Sequence, residues 1–166
     1  AIMIATAMGG RVIAVDISAA TLELARKLGA EAVINGRSVQ DVPGAIADLT
    51  GGGAHVSVDA LGSVITCRNS IESLAKRGKH VQIGLLAGDQ ALPGIPMGRV
   101  VLRELQLLGS YGLQPFKYAD MLSLIAAGRL HPDQLIGRRI SLVEGCAALP
   151  KMDSFQEVGA AIIDRF

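Results

Sequence analysis

The chain has 166 residues, half of them hydrophobic, 19% charged and only 3% aromatic, which suits one compact soluble domain or a large piece of one. Lys and Arg number 16 against 15 Asp and Glu, with neither sign clustered, so no electrostatic footprint points to nucleic acid or to a membrane surface. Cys67 and Cys146 lack CxxC spacing and nearby histidines, a pattern that fits reduced thiols in the cytoplasm better than a disulfide framework or a zinc site.

The opening "AIMIATAM" is apolar but has neither a basic leader nor the roughly 20 residues of a membrane span. It starts at residue 1 with no polar lead-in, which suggests a truncated chain. "RVIAVD" (11–16) reads as a strand ending on Asp16, and a charge there needs water or a polar partner. "SAATLELARKLGA" follows as a helix: Leu22, Ala25 and Leu28 recur at helical spacing, Ser18 caps the start and Gly29 ends it. "EAVIN" (31–35) is the second strand. "DVPGAIADLTGGG" is a weaker helix, because Pro43 suits a first turn while Gly44 costs up to about 1 kcal/mol relative to Ala.

"HVSVDA" (55–60) is the third strand. "SVITCRNSIESLAKRGK" then predicts a helix as far as Gly78, with Lys76 and Arg77 complementing its negative end. "HVQIGLL" (80–86) and "LQLLGS" (105–110) are further strands, and "YADMLSLIAAGRL" is a helix ending at Gly128. Beyond His131 and Pro132 the pieces shorten to a strand "RRISL" (138–142), a helix "GCAALPKM" interrupted by Pro150 and a last strand "GAAIIDRF". That tail reads as an appendage rather than another βαβ unit. Apolar strands alternating with helices predict an α/β fold with a parallel sheet covered on both faces.

Asp16 therefore lies at the carboxyl end of a parallel strand, the edge at which open α/β sheets bind ligands. In a dinucleotide fold such an acid takes the adenosine ribose about 20 residues after a GxGxxG turn. Counting back by that spacing lands before Ala1, and the chain contains no GxGxxG. Gly9 and Gly10 cannot stand in, because they directly precede the Asp strand, whereas the phosphate turn precedes the first helix.

The blocks "RVIAVDISAATLELARKLGAEAVIN", "DLTGGGAHVSVDALGS", "SLAKRGKHVQIGLL", "LQLLGSYG" and "AAIIDRF", in this order and spacing, resemble the C-terminal half of the zinc-type medium-chain alcohol dehydrogenases. The resemblance covers nearly the whole chain. It implies a Rossmann-like doubly wound parallel sheet, truncated so that the first strand and the glycine-rich turn are absent. Residues 1–132 would be a partial NAD-binding domain, and residues 133–166 a return into a catalytic domain that the chain lacks. The implied reaction is hydride transfer between an alcohol and NAD. Zinc belongs to the full-length family but has no ligands in this chain, so neither catalytic nor metal-ligating residues are expected. A small alcohol or aldehyde substrate and a homo-oligomer paired through the sheet edge near residues 100–110 are also implied.

By the same resemblance, Asp16, with Ile17 beside it, is the ribose-binding acid, and its charge favours NAD over a 2'-phosphorylated cofactor. "DALG" (59–62) matches a loop near the cofactor ribose, with more weight on Ala60, Leu61 and Gly62 than on Asp59. "IGL" (83–85) matches the nicotinamide segment: Ile83, Gly84 and Leu85, with Gly84 leaving room for the ring. Ser110 and Tyr111 match another loop near the nicotinamide. Thr21 stands where many relatives carry a Lys, and Ala160 and Ala161 where relatives often place an Arg, so positive charge is removed from a pyrophosphate site. His55, His80 and His131 match no zinc-ligand position.

In the order 3-2-1-4-5-6 the first strand is central. Its absence predicts a strand-deep defect, recruitment of residues 1–8 as a strand, or pairing with another chain through open edges. Two alternatives remain at this point. "VDISAATLELARK" also fits an S-adenosylmethionine-dependent methyltransferase, although no antiparallel hairpin precedes residue 110. The other is a non-catalytic nucleotide-binding or assembly fragment.

Overall fold

The computed structural model describes residues 1–91, 94–154 and 157–166. They group into two compact units, one of Ala1–Asn35 with Gln114–Phe166 and one of Gly36–Leu113.

The first unit begins with a helix, α1 (Ile2–Ala7), so residues 1–8 are not recruited as a strand. Thr6 Oγ1 donates to the Gly29 carbonyl at 3.3 Å, and the backbone N–H of His131 meets the Met3 sulfur at 3.1 Å. Strand β1 (Ile13–Asp16) pairs in parallel with β2 (Ala32–Asn35), Asp16 standing opposite Asn35. Between them α2 (Ala19–Lys27) starts where Ser18 Oγ accepts from the Thr21 N–H at 3.3 Å, and it buries Leu22 and Ala25 as its periodicity requires. Helix α6 (Tyr118–Ala126) ends two residues before Gly128.

The tail differs from its sequence reading. Strand β6 (Ile136–Ser141) and β7 (Ala160–Arg165) run parallel and are joined through α7 (Leu142–Ala148), so the tail is itself a parallel strand-helix-strand unit. Ser141 and Glu144 cap α7 reciprocally: Ser141 Oγ accepts from the Glu144 N–H, and Glu144 Oε2 accepts from the Ser141 N–H at 2.6 Å.

In the second unit, α3 (Val42–Thr50) starts at Asp41, whose Oδ1 accepts from the Gly44 N–H at 2.9 Å. A Cβ on residue 44 would stand 2.3 Å from Asp41 Oδ2, so the glycine that reads as a weakness gives the capping carboxylate its room. Strand β3 (Ala54–Asp59), β4 (Leu74–Gln82) and β5 (Gln106–Gly109) form a parallel sheet in that order. The first unit thus holds the pair β1-β2 and the second the sheet β3-β4-β5. Among the described residues no strand corresponds to position 1 of the doubly wound order, and the two sheets are separate.

Helix α4 (Val64–Glu72) ends well short of Gly78. Leu74, with no exposed surface, pairs with Ala54 in the sheet and joins Ile71, Cys67 and Leu105 in the core. Arg77 takes a left-handed conformation, donating its N–H to the Arg103 carbonyl at 2.7 Å while its side chain pairs with Glu104. Burial of Leu74 overrides the helical propensity of "ESLAKR". A further helix, α5 (Met97–Leu102), has no counterpart in the sequence reading. Arg99 within it and Arg103 at its C-cap donate to the carbonyls of Glu72 and Leu74 at 2.7 and 2.8 Å.

Candidate functional site at the carboxyl ends of the strands

The register of the second unit brings β3, β4 and β5 to one level. Asp59 stands opposite Gln82 and Gln82 opposite Gly109, so the segments that follow leave from one edge. These are residues 60–62, 83–85 and 110–111, and the Ser110 N–H donates to the Gln82 carbonyl at 2.9 Å. The eight expected site residues of this unit thus lie in three segments, distant in sequence, that leave from that edge.

Strand β4 stops at Gln82 rather than continuing to Leu86. The reason is that the Asp59 carbonyl accepts from the N–H groups of both Ile83 and Gly84 at 2.9 Å, which turns the chain across the end of β3. At Gly84 a Cβ would meet Gly62 N at 2.2 Å and Leu61 C at 2.4 Å, and at Gly62 (φ +85°) it would meet Leu85 O at 2.5 Å. The missing side chain of Gly84 therefore makes room for the 60–62 backbone, which corrects the expectation that it leaves room for a ligand ring. Pressed together this way, the two segments turn Leu61, Ile83 and Leu85 outward, leaving three large apolar side chains exposed at a strand edge. Ala60 is exposed beside them, and Tyr111 is almost fully exposed.

What holds the two segments is Asp59, only 3% exposed. Its Oδ1 accepts from the N–H groups of Leu61 (3.1 Å) and Gly62 (3.2 Å), and its Oδ2 accepts from Gln82 Nε2 at 2.8 Å. Gln82 Nε2 also donates to the Gly84 carbonyl at 2.8 Å, and Gln82 Oε1 lies 3.0 Å from His80 Nε2. His80, equally buried, has Ser70 Oγ at 3.0 Å and Ser57 Oγ at 3.3 Å from its Nδ1. The sequence reading placed less weight on Asp59 than on its neighbours and did not single out Gln82. The available signal was polarity at alternate positions of an apolar strand: His80 and Gln82 point to one face. Burial pushes the nearby Cys67 thiol up from its ordinary pKa, and the Asp59 charge pushes it further.

In the first unit, Asp16 lies at the carboxyl end of β1 and is half-buried, its Oδ1 accepting from the Ser18 N–H at 2.8 Å. No salt bridge among the described residues engages it, and Ile17 beside it is exposed. Asp16 and Ile17 belong to a different unit from the other expected residues and are described on their own.

Among the described residues no group of three or more His, Cys, Asp or Glu side chains is placed to hold a metal ion, so these residues do not fit a zinc centre. Both cysteines are free. No helix among the described residues is long and apolar enough to cross a membrane.

Parallel strands with helical crossovers, and loops gathered at their carboxyl ends, define a doubly wound α/β protein of the kind that takes ligands along this edge. Comparison with known proteins narrows the class. A family model described as zinc-binding dehydrogenase matches residues 1–127, and the chain belongs to that family. It is 33% identical over 165 residues to an NAD-dependent alcohol dehydrogenase of Sulfurisphaera tokodaii, covering 98% of this chain and 46% of that protein. It is 32% identical over 135 residues to an erythritol/L-threitol dehydrogenase of Mycolicibacterium smegmatis, covering 81% of this chain and 36% of the relative. A crystal structure of an NAD-dependent alcohol dehydrogenase superposes with a TM-score of 0.87 at 26% identity, over 99% of this chain and 47% of the other. The 2R,3R-butanediol dehydrogenase from Bacillus subtilis superposes with a TM-score of 0.81 at 28% identity, over 92% of this chain and 44% of that one. The chain thus spans about half the length of the curated relatives it matches.

Proposed function

We propose that this chain is the nucleotide-binding part of an NAD-dependent alcohol dehydrogenase. Residues 1–132 form the partial NAD-binding domain, and residues 133–166 return toward a catalytic domain. The observation that carries the reading is the built edge of the second unit, where a buried carboxylate locks two segments together and turns Leu61, Ile83 and Leu85 outward. Exposed apolar side chains on rigid backbone suit the flat face of a nicotinamide, and Ala60, Gly62, Gly84, Ser110 and Tyr111 flank them. In the first unit, Asp16 offers a partly exposed carboxylate to ribose hydroxyls, with Ile17 beside it. NAD, when bound, accepts hydride from the alcohol. The chain's own residues orient the cofactor and keep water from one face of its ring. The substrate is a small alcohol, the protein works as a homo-oligomer, and two free thiols fit the cytoplasm. Catalytic groups and zinc come from the remainder of a longer protein.

The four strand pairings among the described residues are all parallel, which disfavours the methyltransferase sheet with its antiparallel hairpin. Calorimetry of the chain with NADH, NADPH and S-adenosylmethionine tests the reading. NADH is expected to bind and to bind more tightly than NADPH. Binding of S-adenosylmethionine alone, or silence with all three, would overturn it.

A further inference from the structure

The buried polar side chains of the second unit form one chain of hydrogen bonds with a fixed direction. Asp59 enters it as an acceptor at every contact, taking N–H groups from Leu61, Gly62 and Gln82. The Gln82 atom at 2.8 Å from both Asp59 Oδ2 and the Gly84 carbonyl has two acceptors as neighbours, so it is the amide nitrogen. Its other end is then the oxygen, and His80 Nε2, at 3.0 Å from it, must carry a hydrogen. With its single hydrogen on Nε2, the ring has one lone pair to offer at Nδ1, which accepts from the Ser70 hydroxyl at 3.0 Å while Ser57 Oγ lies beside it at 3.3 Å. Each step follows from the one before, beginning at the carboxylate.

We propose that Asp59 is the positioning residue of the nicotinamide-side edge and that it also dictates, through Gln82, which nitrogen of His80 is protonated. The cofactor part rests on the reading of this edge given above. The hydrogen-bond part does not. One residue thereby fastens four backbone N–H groups: the Asp59 carboxylate takes those of Leu61 and Gly62, and its main-chain carbonyl takes those of Ile83 and Gly84. Gln82 adds the Gly84 carbonyl. His80, Ser57 and Ser70 anchor the far end to β4, β3 and α4, so the edge is tied to three elements rather than to one loop. The network also accounts for an acid that no cation accompanies: none of the ion pairs among the described residues includes Asp59, and neutral donors satisfy it instead.

Asp59→Asn is the sharpest perturbation, because it preserves shape and reverses direction. An Asn that keeps its oxygen on Leu61 and Gly62 presents its amide nitrogen to Gln82, a donor facing a donor. Gln82 must then turn over, which removes the donor from the Gly84 carbonyl and sets an amide nitrogen against His80 Nε2. The ring responds by moving its hydrogen to Nδ1.

Long-range proton–nitrogen NMR of the 166-residue chain reads this directly. Wild type is expected to show His80 protonated on Nε2 and bare on Nδ1, and D59N the opposite. In wild type the amides of Leu61, Gly62, Ile83 and Gly84 should exchange slowly although they lie outside the strands. In D59N a neutral amide oxygen replaces the carboxylate at Leu61 and Gly62, and those two amides should exchange at least tenfold faster; with the Gly84 carbonyl also losing its donor, NADH should bind at least tenfold more weakly. A wild-type His80 carrying its hydrogen on Nδ1, or free exchange of those four amides, overturns the proposal without any variant, so a D59N chain that does not fold leaves it open to refutation. An unshifted tautomer in folded D59N sinks the relay, and an unshifted NADH affinity sinks the positioning role. If wild type binds no NADH, the functional reading fails while the tautomer and exchange results still decide the relay.

Discussion

Substituting Gly84 by Ala separates two reasons for a glycine at the end of β4. If the residue is small to admit a ligand, Ala changes binding and leaves the free protein alone. If it is small because the 60–62 backbone occupies the space, Ala harms the free protein first. The distances favour the second. A Cβ at residue 84 falls 2.2 Å from Gly62 N, 2.4 Å from Leu61 C and 2.8 Å from Ala60 C. All three neighbours are backbone, so relief requires the two segments to part by roughly 1 Å or more. That motion stretches the bonds from Ile83 and Gly84 to the Asp59 carbonyl, both 2.9 Å, and the 2.8 Å bond from Gln82 to the Gly84 carbonyl. Losing two such bonds at about 1 kcal/mol each, with some overpacking strain, gives a destabilisation of about 2–3 kcal/mol. For a chain of this length the melting temperature should fall by roughly 4–12 °C. Urea unfolding of the free chain measures the loss as a lower midpoint at constant slope. Gly98→Ala is the control: no atom lies within 4 Å of its added Cβ, and its place in α5 favours Ala, so stability should hold or rise by up to about 1 kcal/mol. A G84A chain as stable as wild type, with NADH binding alone impaired, would refute the reasoning.

Asp16→Asn keeps an oxygen for the Ser18 N–H and removes the charge. A charged hydrogen bond is about twice as strong as a neutral one, so NADH should bind roughly four- to tenfold more weakly, and the preference over NADPH should narrow. Calorimetry with both cofactors checks this, and unchanged ratios would remove Asp16 from the site. Of the two thiols, exposed Cys146 should react with a thiol reagent at once. Cys67, buried and with its pKa raised by burial and by the Asp59 charge, should react only on the timescale of unfolding. Glu144 has its pKa lowered, first by the Ser141 N–H, then by the Ser141 hydroxyl and more weakly by Arg165 and Arg138. A folded-state pKa below the unfolded one gives stability that is present above the ordinary carboxylate range and fades as pH falls through the lowered value. Carboxyl NMR should place the Glu144 titration below that of an unperturbed glutamate, and Glu144→Gln should flatten acid unfolding of the α7 region.

The elements most legible in the sequence were those whose local signals agreed with their burial. Helix α2 shows an N-cap serine, apolar residues at helical spacing and a terminal glycine, and all three act as read. "ESLAKRGK" shows the opposite case. Propensity and the basic pair favour a longer helix, but Leu74 is worth more in the core than a further helical turn, and the chain turns into β4 at once. The tail is poorly legible for a related reason. Pro150 and short segments hid a parallel pairing that only becomes visible once β6 and β7 lie side by side.

The same distinction governs the site. Positions 60–62, 83–85 and 110–111 are singled out in the sequence only by the family resemblance; the structure adds that each follows a strand, and that these parallel strands in register end together. What fastens them was not traceable in this way. An aspartate at the end of a strand is indistinguishable, in sequence, from a solvated charge, and a histidine two residues from a glutamine reads as an ordinary strand alternation. Their significance lies in a pairing across β3 and β4 that sets Asp59 opposite Gln82. Once that register is fixed, the acceptor-only carboxylate determines the orientation of the amide, and the amide determines the imidazole. The glycines at 62 and 84 follow from the same contact, since side chains at either position would force apart the segments that Asp59 draws together. Polar and steric complementarity thus specify a single arrangement of this edge, and neither is expressed by any one stretch of sequence.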